Sequence, residues 1–181
     1  MNRLLYRILK RKKEKEYLNY IYNHKFNIEN AFMEMVMCPD LDWIGWDFYH
    51  TDLYERILEH DNSKYDKEEF DAYRKNYYPV DIEEKELNQD DFQLAWKHHW
   101  ESNRHHWQCR QYDTCPDDKL TKSQILDCLE NICDWLAIGY VKGDRPYQFY
   151  NQIKKEINIP KAEKDFMEKV IFEGIDKKYI K

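Results

Sequence analysis

The sequence predicts an all-α protein: a single compact helical domain of about six or seven helices over residues 1–181. Three observations lead there. Apolar residues recur at i, i+3, i+4 and i+7 almost throughout, the period of one helix face. No alternation of apolar and polar residues, the mark of a half-buried strand, persists for more than a few positions. The length suits one domain with one core, and no repeat, low-complexity linker or boundary interrupts it.

The elements follow in order. Residues 14–37 carry Tyr17, Ile21, Ile28, Phe32 and Met35 at helical spacing until Pro39 stops the run. Residues 40–48 are short and aromatic, a connector. Residues 50–60, with Leu53, Ile57 and Leu58, form the next helix. Asp66 opens another, with Glu69 three residues on at capping-box spacing, ahead of Phe70 and Tyr73. Pro79 and the acidic run 81–86 read as a loop. Residues 90–110 read as one long helix, and 112–118, with Pro116, as a break. Thr121 caps a helix to about Val141. Gly143 and Pro146 punctuate, and Pro146 and Pro160 each start a closing helix, to about Ile157 and Tyr179.

Composition narrows the function classes. The chain is 35% charged with net charge −6, so it has no global attraction to nucleic acid. The start differs. Arg3, Arg7, Lys10, Arg11, Lys12, Lys13 and Lys15 give residues 1–15 a basic helix start, open to phosphate, a membrane surface or a partner, or simply solvated. No apolar run approaches the ~18 residues of a membrane helix, and no signal-peptide pattern opens the chain. A soluble cytoplasmic protein that does not engage the membrane is the expectation. Five cysteines, odd in number and without a C-x-x-C pair, fit reduced thiols. The four glycines form neither G-x-G-x-x-G nor G-x-x-x-x-G-K-[ST], which removes Rossmann and P-loop enzymes. A G-x-S-x-G serine hydrolase is absent as well.

The informative residues are polar ones on faces that should be core. His24 lies inside the stripe of Tyr17, Ile21, Ile28, Ala31 and Met35. His60 and Asp61 end an apolar helix three and four residues after Ile57. A buried carboxylate there needs a cation or several donors, or else caps a helix-end turn. Asp134 is the only charge from Ile132 to Val141, a segment apolar nearly all round. The stretch "KHHWESNRHHW" holds four of the seven histidines. On one continuous helix, Phe92 and Trp96 set the apolar face. His99, Asn103 and His106 continue it, while His98 and His105 lie about 100° aside. Imidazoles and carboxylates on several inward faces call for a cation to organise them, and a divalent transition metal (Mn, Fe, Co, Ni or Zn), one or two ions, does so.

The order His24, His60-Asp61, Asp134 resembles the H…HD…D signature of the HD-domain superfamily of metal-dependent phosphohydrolases. "HDNSK" resembles its HD-x-x-K form. The phrases "HDNSK", "EEF", "AW", "N-x-HHW" and "CDW", over roughly residues 17–160, further resemble a small uncharacterised family of bacteria and phages. The resemblance implies an HD-like all-α fold and a metal held by His24, His60, Asp61 and Asp134. It makes His99 and His106 similar to the added ligands of multinuclear branches. Where the best-known nucleotidase branches carry a glutamate soon after HD, this chain has Lys64 and only later Glu68 and Glu69. The implied activity is hydrolysis of a small phosphorylated substrate, a nucleotide by analogy. Asp61 would hold metal and orient water, Lys64 would neutralise phosphate, and His98 or His105 would serve as general acid. Two other readings stand beside it: a di-iron oxygenase of the HD type, and a non-catalytic helical interaction module with a structural or decayed metal site.

Overall fold

The computed structural model describes residues 2–180; Met1 and Lys181, the ends of the expected domain, lie outside them. The chain is all-helical, with 78% helix and no strand among the described residues. In order come α1 (Arg3–Val36), a 3-10 turn (Pro39–Ile44), α2 (Trp46–Glu59), a second 3-10 turn (Asn62–Tyr65), α3 (Phe70–Tyr77), α4 (Ile82–Leu87), α5 (Gln89–Ser102), α6 (Trp107–Arg110), a third 3-10 turn (Pro116–Asp118), α7 (Lys122–Lys142), α8 (Pro146–Ile153) and α9 (Lys161–Glu168). A π-helical segment (Lys169–Ile175) and a last 3-10 turn (Lys177–Tyr179) close the chain. No helix among the described residues is long and apolar enough to cross a membrane. The five cysteines form no disulfide, as their spacing led one to expect.

About ten helices form among the described residues rather than six or seven, and four local departures from the expectation stand out. The acidic run expected as a loop is α4. Asp81 caps it, its Oδ1 accepting from the Glu84 N–H at 2.9 Å, and Glu83 and Glu84 suit the positive end of the helix dipole. The expected capping box at Asp66 does not form. Helix α3 begins only at Phe70, and Glu69 turns inward instead of back to Asp66. The expected helix 90–110 breaks after Ser102. There the Asn103 side chain donates to the His99 carbonyl at 2.7 Å, the oxygen that the Asn103 backbone N–H would use in a continuing helix. Asn103 is therefore extended (φ −123°, ψ 100°), and a new helix starts only at Trp107. The last expected helix widens after Glu168 into the π segment and kinks at Gly174 (φ −117°, ψ −106°). A Cβ at Gly174 would overlap the Leu41 side chain.

Other sequence signals act as expected. Thr121 and Gln124 form a reciprocal capping box at α7 (3.3 and 3.0 Å). Gly143 ends α7 in the left-handed region (φ 80°), donating to the Gly139 carbonyl. Pro146 opens α8.

The chain divides into two compact units. The first comprises Met1–His24 and Asp61–Asn103. Its core is Tyr17, Ile21, Ala72, Tyr73 and Ala95, with Phe70, Phe92 and Trp96 packed on it. The buried Arg74 guanidinium grips Glu84 through two hydrogen bonds (2.7 and 2.8 Å), and Glu84 also accepts from the Val80 N–H (2.7 Å) and the Tyr6 hydroxyl (2.9 Å). Burial pushes the Glu84 carboxyl up, but the bonds from Arg74, Val80 and Tyr6 outweigh it and hold it at about 2. A carboxyl depressed in the folded state contributes stability above its unfolded pKa of about 4.3 and loses it as pH falls toward the folded value. Glu84→Gln leaves buried Arg74 with only the more distant Asp71 (3.9 Å) as counter-charge and should cost about 3 kcal/mol near neutral pH. The gap from wild type should close as pH falls from about 4 toward 2. Urea unfolding of both proteins across that range measures it.

The second unit comprises Lys25–His60 and Arg104–Lys181. Helix α7 is its axis, with Leu129, Ile132, Cys133, Leu136 and Ala137 fully buried. Against them pack Ile28, Phe32 and Met35 from the end of α1, Leu53 and Ile57 from α2, and Met167, Val170 and Ile171 from the C-terminal segments. Each such aliphatic side chain contributes roughly 1.5–3 kcal/mol. The expectation that Ile132–Val141 is deeply buried holds as far as Ala137. Within this core Arg110 donates to Glu163 (2.9 Å), the Cys128 sulfur (3.0 Å) and Asn131 (2.9 Å), while Gln124 takes the other Glu163 oxygen at 3.1 Å.

Candidate metal-binding clusters

Asp61 begins the second 3-10 turn with a left-handed backbone (φ 56°, ψ 23°). Aspartate, like asparagine, enters this region more readily than other non-glycine residues, and Asp117 and Asp118 adopt it as well. The Asp61 side chain makes no helix-cap hydrogen bond. Its buried carboxylate pairs instead with Lys64 (2.5 Å), with His24 and with His99. Lys64 is itself buried, not a solvated helix-end lysine, and sits 6.0 Å from the Tyr20 ring centre.

These partners make up the cluster of the first unit. His24 projects from α1, stacked parallel to Tyr20 one turn earlier. Its Nε2 lies 3.4 Å from Asp61 Oδ2. His99 projects from α5 between Trp96 and Tyr73, and its Nε2 lies 3.3 Å from Asp61 Oδ1. One carboxylate thus offers each oxygen to a different imidazole. Two donor atoms that share an ion at about 2.1 Å and roughly 90–110° lie about 3.0–3.4 Å apart, so both spacings suit a metal site. The far side of His99 is fixed: its Nδ1 is 2.9 Å from Glu69 Oε2, and the half-exposed His98 puts its Nδ1 2.8 Å from Oε1. Burial pushes the Glu69 carboxyl up, yet the bonds from His99, His98 and Ser63 outweigh this and hold it below the usual range.

The second unit holds His60, His105, His106, Glu130 and Asp134. His60 closes α2, its carbonyl accepting from Lys25 Nζ at 3.0 Å. Its ring lies 4.2 Å from that of His105, which lies 4.2 Å from that of His106. Glu130 Oε1 is 2.9 Å from His60 Nδ1 and 3.1 Å from His105 Nδ1. His60 Nε2 is 3.8 Å from Asp134 Oδ1. Donor atoms of His60, His105 and Glu130 lie close enough together to hold an ion. Burial raises the Glu130 carboxyl, but His105 and His60 outweigh it and hold it at about 2.

Helical phase placed His99 inward and His98 aside, and the burial of the two agrees. It placed His106 inward and His105 aside, and here the break at Asn103 reverses the order: His105 is buried and His106 half-buried. His24, His60, Asp61 and Asp134 are all buried. Two residues escaped the sequence reading. Glu69 looked like a capping glutamate in a charged run. Glu130 sits one turn before Asp134 in α7, just outside the apolar window that singled Asp134 out. The i,i+4 spacing of those two acids was the signal available.

In each of its two units the chain buries imidazoles against carboxylates, groups of a kind that could hold a transition-metal ion. The chain belongs to DUF5662, a family of unknown function whose model matches residues 13–175. No curated protein and no solved structure matches it.

Proposed function

We propose that the chain is a metal-dependent phosphohydrolase acting on a small phosphoester, with nucleotides the substrate class to test first. The observation that carries this reading is the buried Asp61 carboxylate, with one imidazole Nε2 at 3.3–3.4 Å from each oxygen. His24, Asp61 and His99 in the first unit, and His60, Asp134 and His106 in the second, are the proposed ligands for one or two divalent ions (Mn, Fe, Co, Ni or Zn). A metal held by these residues would lower the pKa of a bound water and polarise a phosphoryl oxygen. Asp61 orients that water through whichever oxygen lone pairs remain to it. Lys64, held beside Asp61, provides positive charge against a phosphate. His105, its Nδ1 turned to Glu130, carries a proton on Nε2 toward a leaving group.

Release of phosphate from a panel of nucleotides and phosphodiesters, with Mn, Co and Ni added in turn, is the test. Turnover that needs added metal and stops with chelator is expected. Silence across the panel from metal-loaded protein would leave a non-catalytic metal-binding module. Iron in aerobically purified protein, with visible absorption, would point to the di-iron oxygenase.

A further inference from the structure

The first half of α1 has one face tied into the first unit and one face left outside. On the inner face Tyr17 and Ile21 are buried, the Tyr6 hydroxyl donates to Glu84 at 2.9 Å, and Lys10 Nζ lies 3.7 Å from Asp71. On the outer face Leu4, Ile8, Arg11, Lys15, Leu18 and Tyr22 recur at helical spacing, and all six are exposed. Leu4 is 66% exposed, Ile8 57% and Tyr22 70%. Leu5 is exposed beside Ile8, and Arg7 and Lys12 flank the ridge. The only acids among residues 2–24, Glu14 and Glu16, lie within 4.0 Å of Lys10, Lys12 and Lys13. Arg3, Arg7, Arg11 and Lys15 form no ion pair among the described residues.

We propose that this ridge docks on an anionic lipid surface. Leu4, Leu5 and Ile8 enter the headgroup layer, and the flanking arginines and lysines meet lipid phosphates. Aliphatic side chains set among cations on one helix are what an interfacial helix carries. Other partners of the same charge fit less well. Nucleic acid would neutralise the arginines but leave the aliphatic side chains in water, and no exposed aromatic among residues 3–15 offers a base a surface to stack on. A second copy would set like charges against each other. An acidic helix needs a groove to lie in, and a lone helix ridge offers none. The net charge of −6 does not cancel the local attraction, because charges beyond a Debye length of about 8 Å are screened. The lack of a spanning run, which led to the expectation of no membrane contact, does not bear on a helix that lies along the surface.

The test is co-sedimentation of the full chain with phosphatidylcholine vesicles, with and without phosphatidylglycerol, at about 0.15 M salt. Wild type should pellet only with the anionic vesicles and leave them as salt is raised. Arg7→Gln with Arg11→Gln should weaken binding roughly 25-fold, at about fivefold per charge. Leu4→Gln with Ile8→Gln should weaken it about tenfold or more, with retention on heparin as in wild type. Glutamine is a good helix former and all four positions are exposed, so helicity by circular dichroism should be unchanged. Wild type that ignores anionic vesicles yet shifts an RNA oligonucleotide would assign the ridge to nucleic acid; wild type that does neither would leave it solvated. Either result overturns the proposal. Leu4→Gln with Ile8→Gln bound as tightly as wild type would overturn it too, because charge alone would then account for the binding.

Discussion

On the proposed metal-dependent reading, Asp61→Asn should leave the His24–Asp61–His99 cluster unable to hold a metal and lower phosphoester hydrolysis by on the order of a thousandfold, with the helical fold kept. Asparagine matches aspartate in size and is among the few residues that accept a left-handed backbone, so the turn at 61 should survive. The charge does not survive. A neutral amide has one oxygen to offer where the carboxylate presents one to His24 and another to His99. The variant also deprives Lys64 of the charge it is buried against, so some stability is lost through that pair. Asp61→Asn combined with Lys64→Met isolates this cost, because the cation goes with its partner. Asp61→Ala is the harsher change, adding backbone strain of about 1 kcal/mol or more. Asp134→Ala should likewise deplete metal from the second unit. Metal content by elemental analysis decides: stoichiometric metal in both Asp61→Asn and Asp134→Ala would falsify the ligand assignment.

Arg110→Met should be among the most destabilising single changes in the protein, at about 4 kcal/mol. Arg110 and Glu163 are both fully buried, and the methionine leaves Glu163 ionisable in the core with Gln124 and the weak Cys128 thiol as donors. Burial already pushes the Glu163 carboxyl upward, and Arg110 is the charge that pulls against it. Without Arg110 the carboxyl should take up a proton in preference to standing charged in the core. Removing both charges is a different matter. Arg110→Met with Glu163→Leu gives up the Coulomb attraction together with the desolvation cost of two ions, and should recover most of the loss. The single variant should melt roughly 8–16 °C below wild type, at about 2–4 °C per kcal/mol for a chain of this size. A double variant as unstable as the single one would show that the pair itself, rather than the orphaned carboxylate, carries the energy.

The fold was legible where apolar residues repeat. Helices α1, α2 and α7 follow directly from stripes such as Tyr17–Ile21–Ile28 and from the Thr121 cap. Helix α4 was not, because Ile82 and Leu87 are both exposed and its stability comes from a cap and from Glu84 gripping Arg74. The end of α5 was hidden for another reason. No glycine or proline marks it, and the chain stops because one side-chain amide takes a backbone acceptor. That same event set the error at the second histidine pair, since phase read across Asn103 has no meaning once the helix ends. Within the candidate site, His24, His60, Asp61 and Asp134 stood out because each interrupts an apolar pattern. Glu69 and Glu130 did not, because a glutamate among other polar residues looks solvated until tertiary structure turns it inward.

The left-handed turn at Asp61 also constrains how this chain can diverge. A single nucleotide change converts an aspartate codon to asparagine, glycine, alanine, valine, glutamate, histidine or tyrosine. Glycine has no side chain to clash at φ 56°, and asparagine tolerates it nearly as well; valine and tyrosine do not. A lineage that loses the charge at position 61 but keeps the fold should therefore drift at this codon to asparagine or glycine. Relatives carrying either one at this position would be recognisable, from the gene alone, as copies that kept the scaffold after the charge was lost.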